Sequence, residues 1–321
     1  MKQSGGIVMA WLAVLTKVLP VLLLLSLGIV LKQSQFISGQ AIAELKKLVV
    51  YITLPCLLFL AFLNTQFKPK YIWIVIIIIL VNLLMLLAGK ITGFVLKVKN
   101  PYFPLLFTGF EMGMLGISLF GTVYGMQNLT IFGILDLGQE LFVWFILTAL
   151  LMGIRDGSSD FKKIGTSFLT SPPIIAILSG ILLNLSGLGN FLTANGLTTG
   201  LITCIGMISQ LTIPLILIVI GYQLNLRLNQ FTLPCITVIL RMSILACFAL
   251  IITRCLFTTV LQLPALFSSA LWVMFILPTP FIIPLFMPNQ DDENQSYVNN
   301  TLSLGTVFTI VTFILVIFFN Q

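Results

Sequence analysis

Residues 19–28 read LPVLLLLSLG and residues 172–180 read PPIIAILSG, so Pro20 and Gly28 stand eight apart and Pro172 and Gly180 repeat the interval. The correspondence continues down the chain in the same order. ITLPCLLFL (52–60) carries Pro55 where LTIPLILIV (211–219) carries Pro214. PLLF from Pro104 is matched by PALF from Pro264, and DLGQELFVWFIL around Gly138 by SLGTVFTIVTFIL around Gly305. Each match is short, but five anchors in one order mark an internal duplication. Its halves run over residues 1–155 and 171–321, with residues 156–170 as a polar link on the cytoplasmic side.

Composition decides where such a chain lives. Of 321 residues, 59% are hydrophobic and only 8% charged, whereas a soluble domain carries about a quarter charged residues. A bilayer core takes about 20 apolar residues per helix. Ten stretches qualify: 10–31, 48–65, 71–95, 102–123, 130–152, 171–188, 198–222, 231–256, 264–287 and 298–319. They lack the ten-residue alternation of an outer-membrane barrel. MKQSGG and the apolar run behind it imitate a signal peptide, but no small-residue cleavage site follows, so the run reads as the first span, with Lys17 snorkelling near one end. The expected fold is an all-α polytopic protein of the cell (plasma or inner) membrane, with the lipid bilayer as its solvent. Five spans per half is an odd number. The second copy therefore enters the bilayer upside down, and inverted five-helix repeats are the architecture of secondary transporters.

The net charge of +7 is a topology signal. With the N-terminus outside, the inner loops carry Lys32, Lys46, Lys47, Lys97, Lys99, Arg155, Lys162, Lys163 and Arg227. The outer face receives Lys2, Lys17, Lys68 and Lys70. The positive-inside rule thus places both termini outside. No nucleic-acid partner is implied. Cys56, Cys204, Cys235, Cys247 and Cys255 lie singly in apolar segments and read as buried small hydrophobes. With no histidine in the chain, His-based zinc sites and Ser-His-Asp chemistry are excluded. There is no P-loop, since Gly89-Lys90 is followed by Ile91. No cofactor, metal or enzymatic activity is expected. GxxxG pairs at Gly89/Gly93, Gly109/Gly113 and Gly121/Gly125 read as close helix packing.

Spans four and nine occupy matching places in the halves, and both are poor continuous helices. GFEMGMLGISLFG loosens the fourth through Gly109, Gly113 and Gly116; FILPTPFIIPLF breaks the ninth through Pro278, Pro280 and Pro284. Aligning Pro104 with Pro264 sets Ser118 opposite Pro278. Paired breaks in corresponding spans point to a midplane binding site, because half-helix ends expose unpaired amides and carbonyls. Ordinary kinking of two packed helices is the competing account.

Buried charge singles out further residues. At about 1.5 Å per residue, Glu111, Glu140 and Arg241 each lie roughly 14–15 Å into their spans, near the midplane. Asp136 sits one turn before Glu140 on the same face, with Gln139 beside it. Two structural accounts compete with a functional one: Arg241 ion-paired with an acid to hold the bundle, or Asp136 capping the fifth helix. The three acids nevertheless outnumber Arg241, so the excess must be protonated, cation-bound or exposed to water in a cavity. The ion-coupling candidates are Glu111, Asp136, Gln139 and Glu140, with a proton or cation as partner. The substrate-binding candidates are Arg241, Asn82 (which aligns close to Arg241 in the repeat), Gly113, Gly116, Ser118, Pro278 and Pro280. Thr53 and Thr212, each two residues before a paired proline, are expected to bond their own helix backbone. Lys90 and Arg254 lie near span ends and are expected to snorkel.

These runs resemble the auxin efflux carrier family, within the wider group of bile acid and auxin carriers. LPVLLLLSLGIVLKQSQFISGQAIAELKKLVVYITLPCLLF is similar to the family's opening, and EMGMLGISLFGTVYG, SPPIIAILSGILL and IPLILIVIGYQL extend the resemblance over nearly the whole chain. The resemblance implies ten spans in two inverted repeats with broken helices crossing near the site, a fold similar to bile-acid symporters and sodium/proton antiporters. It also implies small carboxylates as cargo. The family's fourth span reads N-x-G-F-x-G-x-P; here Glu111 replaces the Asn and Ser118 the Pro, while Gly113 and Gly116 are kept.

The expectation is therefore a permease for small organic anions, working by alternating access and coupled to protons or a cation. A cation/proton antiporter is the alternative, and a membrane-embedded transferase the rival from another class. A second copy of the chain is a candidate partner in a homodimer. The halves match in their prolines and glycines but not in their chemistry: Glu111 aligns with Leu271, and Asp136 and Glu140 with Ser303 and Val307.

Overall fold

A computed structural model describes residues 19–63, 68–156, 166, 169–188, 196–223, 231–287 and 292–319. Lys2, Lys17, the start of the first span, Lys162, Lys163 and most of the 156–170 link, Arg227 and Asp291 lie outside the described residues. Within them the chain is helical and forms no strand. The apolar helices are α1 (Leu19–Gln33), α2 (Gly39–Leu63), α3 (Tyr71–Val95), α4 (Leu105–Tyr124), α5 (Met126–Arg155), α6 (Pro172–Leu185), α7 (Thr198–Tyr222), α8 (Thr232–Val260), α9 (Ala265–Ile276) and α10 (Glu293–Ile317). Seven of the described helices are long and apolar enough to cross a membrane; α1, α6 and α9 are shorter. Their outward faces are as apolar as their cores. Along α3, Ile72, Ile76, Leu80, Leu83 and Leu87 are exposed while Ile74, Ile78 and Met85 are buried. A helix apolar all round belongs in lipid, and the chain is a multi-pass membrane protein.

The chain divides into two compact units, each drawing on both sequence halves. The first takes Met1–Lys68, Gly113–Gly133 and Thr166–Leu224; the second takes Pro69–Met112, Ile134–Gly165 and Asn225–Gln321.

In the first unit Gly28 and Gly180 make matching contacts. A Cβ on Gly28 of α1 would lie 2.2 Å from the carbonyl oxygen of Ile218 in α7. A Cβ on Gly180 of α6 would lie 2.8 Å from the carbonyl oxygen of Phe59 in α2. Helix α1 thus packs backbone to backbone on α7, and α6 on α2. Pro55 and Pro214 also act alike. Pro55 has no N–H and crowds the carbonyl four residues earlier, and α2 widens into a π-turn over Val49–Thr53 just ahead of it. Pro214 is preceded by a break at Leu211 between Gly196–Gln210 and Thr212–Gln223. The hydroxyls of Thr53 and Thr212 do not bond their own helices as expected: both are buried without a hydrogen-bond partner. The distorted turns ahead of the prolines no longer offer carbonyls in helical register.

The first GxxxG pair packs as expected, in the second unit. Gly89 meets Pro104 and Gly93 meets Phe103. Gly109 and Gly125 instead take positive φ, of 68° and 89°, and serve as breaks. The cysteines depart from expectation too: Cys204, Cys247 and Cys255 are exposed, because an apolar thiol on the lipid-facing side of a membrane helix has nothing to gain from the core.

Contacts at the helix ends bring together segments far apart in sequence. In the first unit Tyr222 Oη donates to Ile37 O at 3.0 Å, and Asn184 Nδ2 donates to Leu63 O. In the second, Lys70 Nζ donates to Leu261 O and Gln262 O at 3.0 and 3.1 Å, and Asn100 bonds Asn294.

Candidate functional site

Both interrupted helices break inside the second unit. The fourth span begins as a 3₁₀ turn, Leu105–Phe107, and leaves helical geometry at Thr108, which is extended (φ −100°, ψ 164°). Gly109 follows in the left-handed region, where a side chain is strained; a Cβ there would also lie 2.5 Å from Pro280 Cγ. The ninth span stops at Ile276, and Leu277 is extended (φ −66°, ψ 150°). Helical turns resume only at Ile283–Phe286. Pro278 and Pro280, which cannot donate, occupy the gap.

The two extended pieces lie against each other. The Glu111 N–H donates to Pro278 O at 2.9 Å, and the Phe281 N–H donates to Glu111 Oε2 at 2.7 Å. Two half-helices ending in an apolar interior leave carbonyls and amides that must find partners, and side chains from four neighbouring helices supply them. Arg241 of α8, only 3% exposed, donates through Nη2 to Gly109 O at 2.6 Å and through Nη1 to Leu277 O at 2.7 Å. Its guanidinium stands 5.0 Å from the centre of the Phe110 ring, which stacks on Phe275 at 5.4 Å. Asn82 of α3 accepts from the Gly109 N–H at 2.7 Å and donates to Ile78 O at 2.9 Å. Gln139 of α5 donates to Phe110 O at 2.8 Å. Thr309 of α10 donates to Ile276 O.

Asn82 and Arg241 therefore clasp one residue, Gly109, by its amide and its carbonyl. Among the described residues Arg241 makes no ion pair, which removes the reading of Arg241 as the partner of a carboxylate. Asp136 lies well inside α5, whose α-helical part begins at Leu129, which removes the capping reading. Asp136 is 4% exposed, and its Oδ1, like Gln139 Oε1 and Arg241 Nε, has no hydrogen-bond partner. Glu140 accepts from Trp144 Nε1 at 2.7 Å. Glu111, Asp136 and Glu140 lie near enough for their charges to act on one another.

Asn82, Glu111, Gln139, Arg241, Pro278 and Pro280 are thus joined by direct contacts, with Asp136 and Glu140 beside them electrostatically. Gly113, Gly116 and Ser118 belong to the first unit. Ser118 is fully buried and gives its hydroxyl to Met114 O at 2.8 Å; Leu54 Cδ2 lies 3.8 Å from where a Cβ on Gly113 would stand. Sequence reasoning missed Phe110, Thr309 and Trp144. Trp144 was accessible from its i+4 relation to Glu140; Phe110 and Thr309 carry no signal outside the fold, being apolar or hydroxylated residues in apolar spans.

No family model matches the chain, and comparison with characterised proteins returns no match.

Proposed function

We propose that the chain is a secondary transporter of small organic anions, built as ten spans in two inverted five-helix repeats and resembling auxin efflux carriers. The observation that carries this reading is the crossing of two interrupted helices, with Arg241, Asn82 and Glu111 bonded to its exposed backbone. Broken helices in corresponding spans make ion and substrate sites in transporters because half-helix ends carry partial charges at membrane depth. The reciprocal packing of Gly28 and Gly180 supports the duplication. The end-to-end contacts support ten alternating crossings: each joins segments that such a topology sets on the same side, Lys70 with Leu261 and Ile37 with Tyr222 among them.

Arg241 keeps its charge uncompensated by any described carboxylate and has a spare Nε–H, so the crossing attracts anions. The carboxyls of Glu111, Asp136 and Glu140 take up the coupling proton as the site alternates between the two sides. One observation favours a second reading, cation/proton antiport: Asp136 Oδ1 and Gln139 Oε1 are buried acceptors without donors, a pairing that a dehydrated cation would satisfy.

Reconstitution separates the two. Proteoliposomes given a panel of mono- and dicarboxylates, with and without a pH gradient, should accumulate at least one carboxylate, and Glu140→Gln should abolish the response to the gradient. Cation flux without carboxylate uptake would replace the first reading by the second. Absence of both would overturn them together.

A further inference from the structure

The second unit contains an open groove of about 810 Å³ between α8, α9 and α10, within the usual range of about 300–1,000 Å³ for ligand pockets. Its composition is graded along its length. Met242, Ala246 and Ile276 line one end, at the level of the helix crossing; Arg254, Thr258 and Ser268 line the other, near the ends of α8 and α9. From Met242 to Arg254 is about 18 Å at the helical rise, and half the hydrocarbon core is about 15 Å. With the crossing at the midplane, Arg254 stands at headgroup depth, and the groove spans one leaflet.

Apart from Ser268, beside Arg254 at the surface end, the hydroxyls along it are already committed to backbone carbonyls. Ser243 donates to Ile239 O, Thr258 to Thr253 O and Thr312 to Phe308 O. Arg254 is different: it is exposed and, among the described residues, makes neither a hydrogen bond nor an ion pair. Among the described residues, no acidic side chain lines the groove. A cleft that is apolar at membrane depth and singly cationic at the surface complements a molecule with the opposite gradient: hydrocarbon at one end, negative charge at the other.

We propose that this groove holds one phospholipid of net negative charge from the leaflet in which α8 ends, its phosphate on Arg254 and an acyl chain running toward Met242 and Ile276. The lipid wedges α8 against α9 beside the crossing. This inference stands independently of the transported substrate.

Native mass spectrometry of the full-length protein, titrated with phosphatidylglycerol or with phosphatidylcholine of identical chains, tests it. One cation near the surface gives about fivefold preference for the anionic lipid. Arg254→Gln should erase that preference without changing retention of phosphatidylcholine, and Arg254→Lys should keep it. Ala246→Trp, which fills the apolar end, should lower retention of both lipids. Equal retention of the two lipids by the unaltered protein, or a preference that survives Arg254→Gln, would overturn the proposal. So would a groove filled by a second copy of the chain, seen as a dimer from which lipid is excluded.

Discussion

Arg241 does at the crossing what no neutral side chain could. Its planar fork bonds one carbonyl within each break, Gly109 O and Leu277 O, and each of these, left buried and unbonded, would cost about 1–3 kcal/mol. Arg241→Ala should therefore destabilise the purified protein by about 2–6 kcal/mol in a denaturant or thermal melt. Millimolar guanidinium should recover part of the loss by entering the vacated space. Arg241→Lys should fall between, because one ammonium keeps the charge but lacks the two-pronged geometry. Failure of guanidinium to stabilise the alanine variant more than the parent would refute the clamp. Glu111 separates geometry from charge in the same way. Glu111→Gln keeps an acceptor for the Phe281 N–H and should melt close to the parent, while Glu111→Ala strands that amide and should lose about 1–3 kcal/mol. If Glu111 also carries a coupling proton, the glutamine variant should lose the pH response of uptake despite its normal stability.

At the scale of elements, the paired prolines and glycines explain both how the helices bend and where they touch. Pro55 and Pro214 force a wide turn or a break one turn upstream in α2 and α7, a distortion that the expected bonding of Thr53 and Thr212 to their own helices did not anticipate. Gly28 and Gly180 let helix backbones approach to a distance that any side chain would prevent. Gly28→Val and Gly180→Val should each cost about 1–3 kcal/mol through overpacking, and by similar amounts, since the contacts are reciprocal. Gly39, with nothing within 4 Å of an added Cβ, supplies the control; Gly39→Ala should leave the melting temperature within error.

At the scale of the whole molecule, the charge distribution and the end contacts predict one topology. Reporter fusions and single-cysteine labelling should find the C-terminus and the 68–70 turn outside, and the 97–100 turn inside. A C-terminus on the same side as Lys99 would break the inverted-repeat reading, because five spans per half fix the two halves in opposite senses. The compact units cut across those halves: the first draws helices α1, α2, α6 and α7, the second most of the remainder. The sequence matches run in chain order, whereas packing is set by which apolar faces meet.

The sequence by itself determined that this is a multi-pass membrane protein and which two helices break, and its matched prolines and glycines are the ground for the duplication we propose. Those properties are local: hydropathy over about 20 residues, a missing amide at each proline, a missing side chain at each glycine. It also found Asn82, Glu111, Gln139 and Arg241, because a polar group in an apolar span is conspicuous. It could not assign their partners. Arg241 looked like a partner for a carboxylate or an anion, and only the tertiary structure showed its two amino groups bonded to backbone carbonyls 132 and 36 residues away. A broken helix announces in the sequence that its ends will need hydrogen bonds; which side chains make them depends on how distant helices pack.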